Sequence, residues 1–233
     1  IESLAAHGAE LIININASPF SCSKQNVRHD MLKTRARDNL VHIAYVNCVG
    51  GQDELVFDGA SMIVNPKGEI TSHAHSFQEE LLIQDIALES TFRMQLKDSR
   101  LKKLRQTATD RCITTLKSDA TLHNHPYTMP HTLHPSSNYL ENIYSALTLG
   151  LKDYIRKNGF SKVVIGLSGG IDSALTAAIA VDALGKENVV GILMPSEFSS
   201  DHSVSDADAL AKNLGITTHT IAIKEMFESF DNA

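Results

Sequence analysis

The sequence predicts an α/β protein in two parts, a mixed sheet followed by a parallel sheet. Three observations predict it. Two short apolar runs, Leu11–Ile15 and Val41–Val46, flank a stretch of helical period. From residue 163 onward, apolar runs and helical stretches alternate as β-α-β-α-β, a pattern that demands parallel strands joined by right-handed crossovers. Between the two lies a proline- and histidine-rich stretch with neither period.

The first part runs from Ile1 to about Asp85. Residues 1–7 read as a short helix ended by Gly8, a good residue beyond a helix C-terminus. Leu11–Ile15 reads as a buried strand. Val27–Leu40 reads as a helix with Met31, Leu32 and Ala36 on its inner side and Arg and Lys elsewhere. Val41–Val46 is the second strand and Gly50-Gly51-Gln52-Asp53 a turn. Ser61–Val64 and Glu69–Thr71, joined by Asn65-Pro66-Lys67-Gly68, read as a hairpin. Leu81-Leu82-Ile83 reads as a closing strand.

The middle part, Ala87 to Ser137, reads as a connection. Arg93–Arg105 is charged and helical in pattern. His123, His125, His131 and His134 accompany Pro126 and Pro130. Four histidines invite a metal reading, but prolines hold such a segment extended and no pair has the helical i, i+4 spacing. A solvated interdomain linker is the reading adopted.

The third part begins at Asn138. Leu140, Ile143, Leu147, Leu151 and Ile155 mark a helix ended by Gly159. Strands follow at 163–167, 189–194 and 218–223, with helices at 173–184 and about 203–214. Expected boundaries are therefore 1–86, 87–137 and 138–233.

Chemistry concentrates after the first strand of this third part, at Gly166-Leu167-Ser168-Gly169-Gly170-Ile171-Asp172-Ser173. Two adjacent glycines let several N–H groups point at one spot, and the following helix adds its positive end. Ser168 and Ser173 add hydroxyls. The loop suits a phosphate, and Asp172 beside phosphates calls for a cation, most naturally Mg²⁺. It lacks the lysine of a Walker A loop. A plain glycine turn would need neither serine nor the aspartate. The loop Met194–Ser203 also leaves the carboxyl end of a strand, so Ser196, Ser199 and Ser200 are candidate nucleotide contacts. Ser203 reads equally well as a helix cap.

Composition narrows the classes. The chain has 233 residues, 42% hydrophobic and 21% charged, as in a soluble globular protein. A net charge of −6 argues against a nucleic-acid surface, and no apolar run approaches a membrane span. Cys22, Cys48 and Cys112 are too few and too scattered for a disulfide framework or zinc site. Cys48 reads as a small apolar residue at a strand end. The simplest compartment is the cytoplasm. The chain opens without Met inside a helical pattern and stops shortly after a strand, so both ends are expected to cut through a fold.

Gly166–Ser173 resembles the pyrophosphate loop of the ATP pyrophosphatases. Together with Tyr139–Leu147, Gly150–Tyr154 and Met194–Asp206, it resembles the NAD⁺ synthetase family. Gly8–Ile12, Asn16–Phe20 and Val49–Gly59 resemble the carbon–nitrogen hydrolase (nitrilase-type) domain fused to glutamine-dependent members of that family. The resemblance implies the C-terminal half of a nitrilase-like α-β-β-α sandwich, followed by a doubly wound parallel sheet, both incomplete. It implies ATP and Mg²⁺ as cofactors, with Gly166–Ser173 cradling the ATP phosphates and Asp172 helping to hold the metal. It implies deamido-NAD(+), glutamine and ammonia as partners, and a homo-oligomer. Ser18 and Lys24 match positions lining the glutamine pocket, although Lys24 also reads as an exposed lysine opening a helix.

In that family the glutamine-hydrolysing residues are Glu, Lys and a nucleophilic Cys. The Cys position precedes Ile1, so the glutaminase catalytic groups are expected outside this chain, which alone is expected to be inactive. Two other readings stand beside this one. Another ATP pyrophosphatase such as GMP synthetase would share the loop, and a non-catalytic fragment would bind nucleotide without turnover.

Overall fold

A computed structural model describes residues 1–107, 133, 138–195 and 201–224. The chain folds as two compact units, each with its own core. The first comprises Ile1–Val49 and Phe57–Asn138, the second Gly50–Val56 and Tyr139–Ala233.

In the first unit a short helix α1 (Glu2–Ala6) leads into β1 (Leu11–Asn16), helix α2 (Lys24–Asn39) and β2 (His42–Asn47). β1 and β2 are parallel, with Ile12 opposite Ile43. β5 (Met62–Val64) and β6 (Ile70–His73) then extend the sheet antiparallel, in the order β1-β2-β5-β6. Alternation along the strands buries Ile12, Ile43, Tyr45, Met62 and Val64 beneath α2. The other face leaves Ile13, Ile15 and Val46 exposed. The same alternation turns Asn47 inward and the next residue outward. Cys48 is therefore exposed, not the packed apolar residue expected.

α2 begins three residues before the expected start. Its inner stripe is Arg28, Leu32, Ala36 and Asn39. Leu32 and Ala36 agree with the periodicity. Met31, expected inside, is half exposed, and Arg28, expected outside, is only 3% exposed. Spacing of i, i+4, i+8 places Arg28 on the sheet side, and a buried acid partner makes that position tenable.

Two further expectations are corrected. Gly50–Gln52 does not form the turn itself. It belongs to β3 (Val49–Gln52), which pairs with β4 (Leu55–Asp58), and the reversal falls at Asp53 with φ of 51°. Leu81–Ile83 is not a strand. Its apolar side chains find no sheet to join, and Leu81 is 83% exposed. The charged helical pattern resolves into α3 (Leu88–Lys97) and α4 (Ser99–Thr107). They break at Asp98, whose Oδ1 accepts the N–H groups of Arg100 and Leu101 and caps α4. Both helices pack on this unit. Leu101 joins its core, and the Gln95 Nε2 donates to the carbonyls of Ala9 and Leu40 at 2.9 Å each. His123, His125, His131, His134 and Cys112 lie outside the described residues.

The second unit follows the expected order. α5 (Tyr139–Lys157) precedes β7 (Val163–Gly166), α6 (Ile171–Leu184), a 3₁₀ turn (Lys186–Asn188), β8 (Val189–Leu193), α7 (Asp201–Leu214) and β9 (Thr217–Thr220). The strands are parallel, in the order β7-β8-β9. Leu167, Ala177, Ala180, Val189, Leu193, Ala207 and Ala211 form the core, with small residues letting α6 and α7 approach the sheet. On α5, Asp153 Oδ2 accepts the Gly51 N–H at 2.8 Å and Lys157 Nζ donates to the Gly51 carbonyl. A Cβ at Gly51 would stand 3.0 Å from the Gly150 Cα, so a side chain there would press on the α5 backbone. No helix among the described residues is long and apolar enough to cross a membrane.

Candidate functional site

The phosphate-type loop sits where the sequence places it. β7 ends at Gly166, Leu167 is buried as an anchor, and Ser168–Gly170 turn the chain into α6. Gly169 has φ of 80°. A Cβ there would overlap the backbone of Ser203, whose C and Cα would lie 2.8 Å away. Glycine is thus required twice, by conformation and by space. The close approach seats the loop against the first turn of α7.

Hydroxyls organise the loop from within. The Ser168 and Ser173 Oγ atoms are 3.1 Å apart. The Ser173 Oγ accepts the Ser168 N–H and donates to the Gly170 carbonyl, and the Ser168 Oγ accepts the Gly170 N–H. Gly170 caps α6, so the N–H groups of Ile171, Asp172 and Ser173 have no acceptor inside the helix. They open at the positive end of a four-turn helix, where an anion is favoured. Asp172 is exposed on the first turn, and its carboxylate makes no hydrogen bond or ion pair among the described residues.

A cleft of about 200 Å³ opens beside the loop. Gly166, Leu167 and Ser168 form one wall, Leu193–Pro195 a second, and Ser203, Val204 and Ala207 the third. Of these, Val204 escaped the sequence reading, and its signal was the i, i+3 spacing to Ala207 on a helix that starts beside a strand end. The arrangement offers helix N–H donors at one side and a largely apolar cleft next to them. Ser196, Ser199 and Ser200 lie outside the described residues.

The first unit holds a second polar cluster, at the carboxyl ends of β1 and β2. Asn47 grips the backbone of Ser18 from both sides: its Oδ1 accepts the Ser18 N–H at 2.8 Å and its Nδ2 donates to the Ser18 carbonyl at 3.2 Å. Arg28 donates to both oxygens of Asp58 at 3.1–3.2 Å and, through Nη2, to the Ser18 Oγ at 3.3 Å. Asn47 Nδ2 also reaches Asp58 Oδ1. The Arg28 guanidinium lies over the Tyr45 ring, 5.5 Å from its centroid. Burial raises the Asp58 carboxyl pKa, and the Arg28 charge and hydrogen bonds pull it back down. Lys24, half-buried at the start of α2, adds its positive charge near Asp58. Sequence reading singled out Ser18 and Lys24 but missed Arg28, Asn47 and Asp58, which carry the cluster.

Two family models match the chain, in this order: carbon-nitrogen hydrolase over residues 2–94 and NAD synthase over residues 143–233. Curated relatives carry both across one alignment. Identity is 47% to the glutamine-dependent NAD(+) synthetase of Aquifex aeolicus, over 98% of this chain and 40% of that protein. To that of Thermotoga maritima it is 45%, over 96% of this chain and 38% of that protein. This chain carries parts of the carbon-nitrogen hydrolase and NAD synthase families, joined in the order found in the glutamine-dependent NAD(+) synthetases it resembles. It spans about two fifths of the length of these relatives. A solved structure of the glutamine-dependent NAD+ synthetase from Acinetobacter baumannii, in complex with ADP, superposes with a TM-score of 0.78 at 32% identity. The match covers 97% of this chain and 36% of that one. The nitrilase-like and NAD-synthetase-type folds expected for the two parts are those of these family members.

Proposed function

We propose that this chain is the adjoining portion of the two catalytic modules of an enzyme that amidates deamido-NAD(+) to NAD(+). The observation that carries the proposal is the Ser168–Ser173 loop at the head of α6, in a chain whose first part matches the carbon-nitrogen hydrolase model. In this reading a nicotinate carboxylate oxygen attacks the α-phosphorus of ATP and pyrophosphate leaves. Ammonia, released by glutamine hydrolysis, then attacks the acyl-adenylate carbonyl and AMP departs.

The residues present fit these roles. First-turn N–H groups of α6 and the Ser168 and Ser173 hydroxyls would hold the phosphates. The cleft walled by Met194, Val204 and Ala207 would take the nucleoside. Asp172, with its uncommitted carboxylate, would hold Mg²⁺, which when bound neutralises charge on the departing pyrophosphate. Ser18 and Lys24 would face glutamine. A cytoplasmic homo-oligomer belongs to the same proposal.

ATP–pyrophosphate exchange by the full-length protein tests this. Exchange that depends on deamido-NAD(+) is the expected result. Exchange driven by xanthylate or a tRNA overturns it, as does ATP binding with no exchange under any of these substrates.

A further inference from the structure

The two grips on Ser18 come from different elements, and both are buried. Asn47, at the end of β2, is 5% exposed and holds the Ser18 backbone from both sides. Arg28, on the inner stripe of α2, is 3% exposed and reaches the Ser18 Oγ. Asp58, 2% exposed, fixes Arg28 through both its oxygens. Each of the three side chains spends hydrogen bonds on one loop residue or on the residue that holds it.

Burial of a charged pair gives little net stability compared with an apolar packing of similar volume. A fold needing only to hold β1 against α2 could use apolar packing here, as it does one and two turns further along with Leu32 and Ala36. What the polar cluster adds is a fixed position for Ser18. That residue leaves the carboxyl end of β1, beside the carboxyl end of its parallel neighbour β2, the side of such sheets where ligands bind. Among the described residues the Arg28 Nε has no acceptor, and the hydrogen bonds that place the guanidinium go to Asp58 and Ser18.

We infer that Arg28, Asn47 and Asp58 are positioning residues for the glutamine site, acting through Ser18. The inference rests on the proposed function, and specifically on Ser18 facing glutamine. Lysine cannot replace Arg28 in this role. An ammonium keeps the charge opposite Asp58 but, as one nitrogen on a shorter stem, cannot reproduce both the Nη1 bonds to Asp58 and the Nη2 bonds to Asp58 and Ser18.

The test uses the full-length protein and compares wild type, Arg28→Lys, Ser18→Ala and the double variant. Glutamine-dependent and ammonia-dependent NAD(+) formation are measured in parallel, with thermal unfolding as a check on folding. Arg28→Lys is expected to raise the KM for glutamine about tenfold, the scale of one lost charge-assisted hydrogen bond at a site. Its kcat should change less, and ammonia-dependent formation should keep its rate. The double variant should be no worse than the poorer single variant, because Arg28 acts through Ser18. Independent, multiplying effects of the two substitutions overturn the inference, as does an unchanged KM in a folded Arg28→Lys protein. If Arg28→Lys fails to fold, Asn47→Ser in the same assays decides by the same criteria. A wild-type protein that makes NAD(+) from ammonia but never from glutamine sinks the functional reading instead, a distinct outcome.

Discussion

Gly169 shows how much one residue can carry. Its φ of 80° and its approach to the Ser203 backbone both exclude a side chain. Gly169→Ala must therefore move the loop or α7, and movement of about 1 Å at reacting groups costs on the order of 100-fold in rate. Exchange activity of Gly169→Ala is expected to fall by at least that factor. Near-wild-type exchange would show that the loop tolerates displacement. Arg28 is the opposite case, a residue whose identity misleads. Arginine on a helix reads as solvent-facing by composition, and only its i, i+4, i+8 relation to Leu32 and Ala36 places it inward. The acid that makes this possible is thirty residues away, and no local pattern announces it.

Elements were more legible than residues where period and termination agreed. β1, β2, α5 and the run from β7 to β9 all had apolar periodicity bounded by turn residues, and all form within a few residues of the expected limits. The misreadings share one cause, the absence of a visible partner. Gly50-Gly51 has turn composition but forms a strand because β4 pairs with it, whereas Leu81–Ile83 has strand composition but pairs with no strand among the described residues. The junction of α2 with β6 makes a pH prediction. His29 on α2 and His73 at the end of β6 meet Nε2 to Nε2 at 3.2 Å. Burial, then the charges of His73, Lys33 and Arg28, lower the His29 pKa to about 4, with Asp30 opposing. The unfolded chain takes up this proton near pH 6.5 and the folded chain only near 4, so stability is full above 6.5 and declines as pH falls between these values. Chemical denaturation across that window should show the decline, and His29→Gln should flatten it. An unchanged slope in the variant would assign the effect to other groups.

At the scale of the whole molecule, the two units keep separate cores, and the two candidate sites lie one in each. The loop chemistry and the Ser18 cluster share no residue. Asp172→Asn in the full-length protein is therefore expected to abolish ATP–pyrophosphate exchange while leaving measurable glutamine hydrolysis. Loss of both activities together would mean that the second reaction requires the first to be intact. The order of the two parts was readable because each carries short recognisable motifs, Asn16–Phe20 and Val49–Gly59 in the first and Gly166–Ser173 in the second. The assignment of Gly50–Val56 to the second unit was not readable, since it depends on side chains about 100 residues away.

Those side chains have one more consequence. Among the described residues β3 and β4 form a two-stranded sheet, and such a ribbon normally exposes a row of unpaired amides. At Gly51 the outward N–H and carbonyl are both occupied, one by Asp153 and the other by Lys157. One turn of helix thus closes the middle of the ribbon to any foreign strand. Loss of the Asp153–Lys157 pair, which contributes little to folding free energy, is expected to register as aggregation before it registers as unfolding.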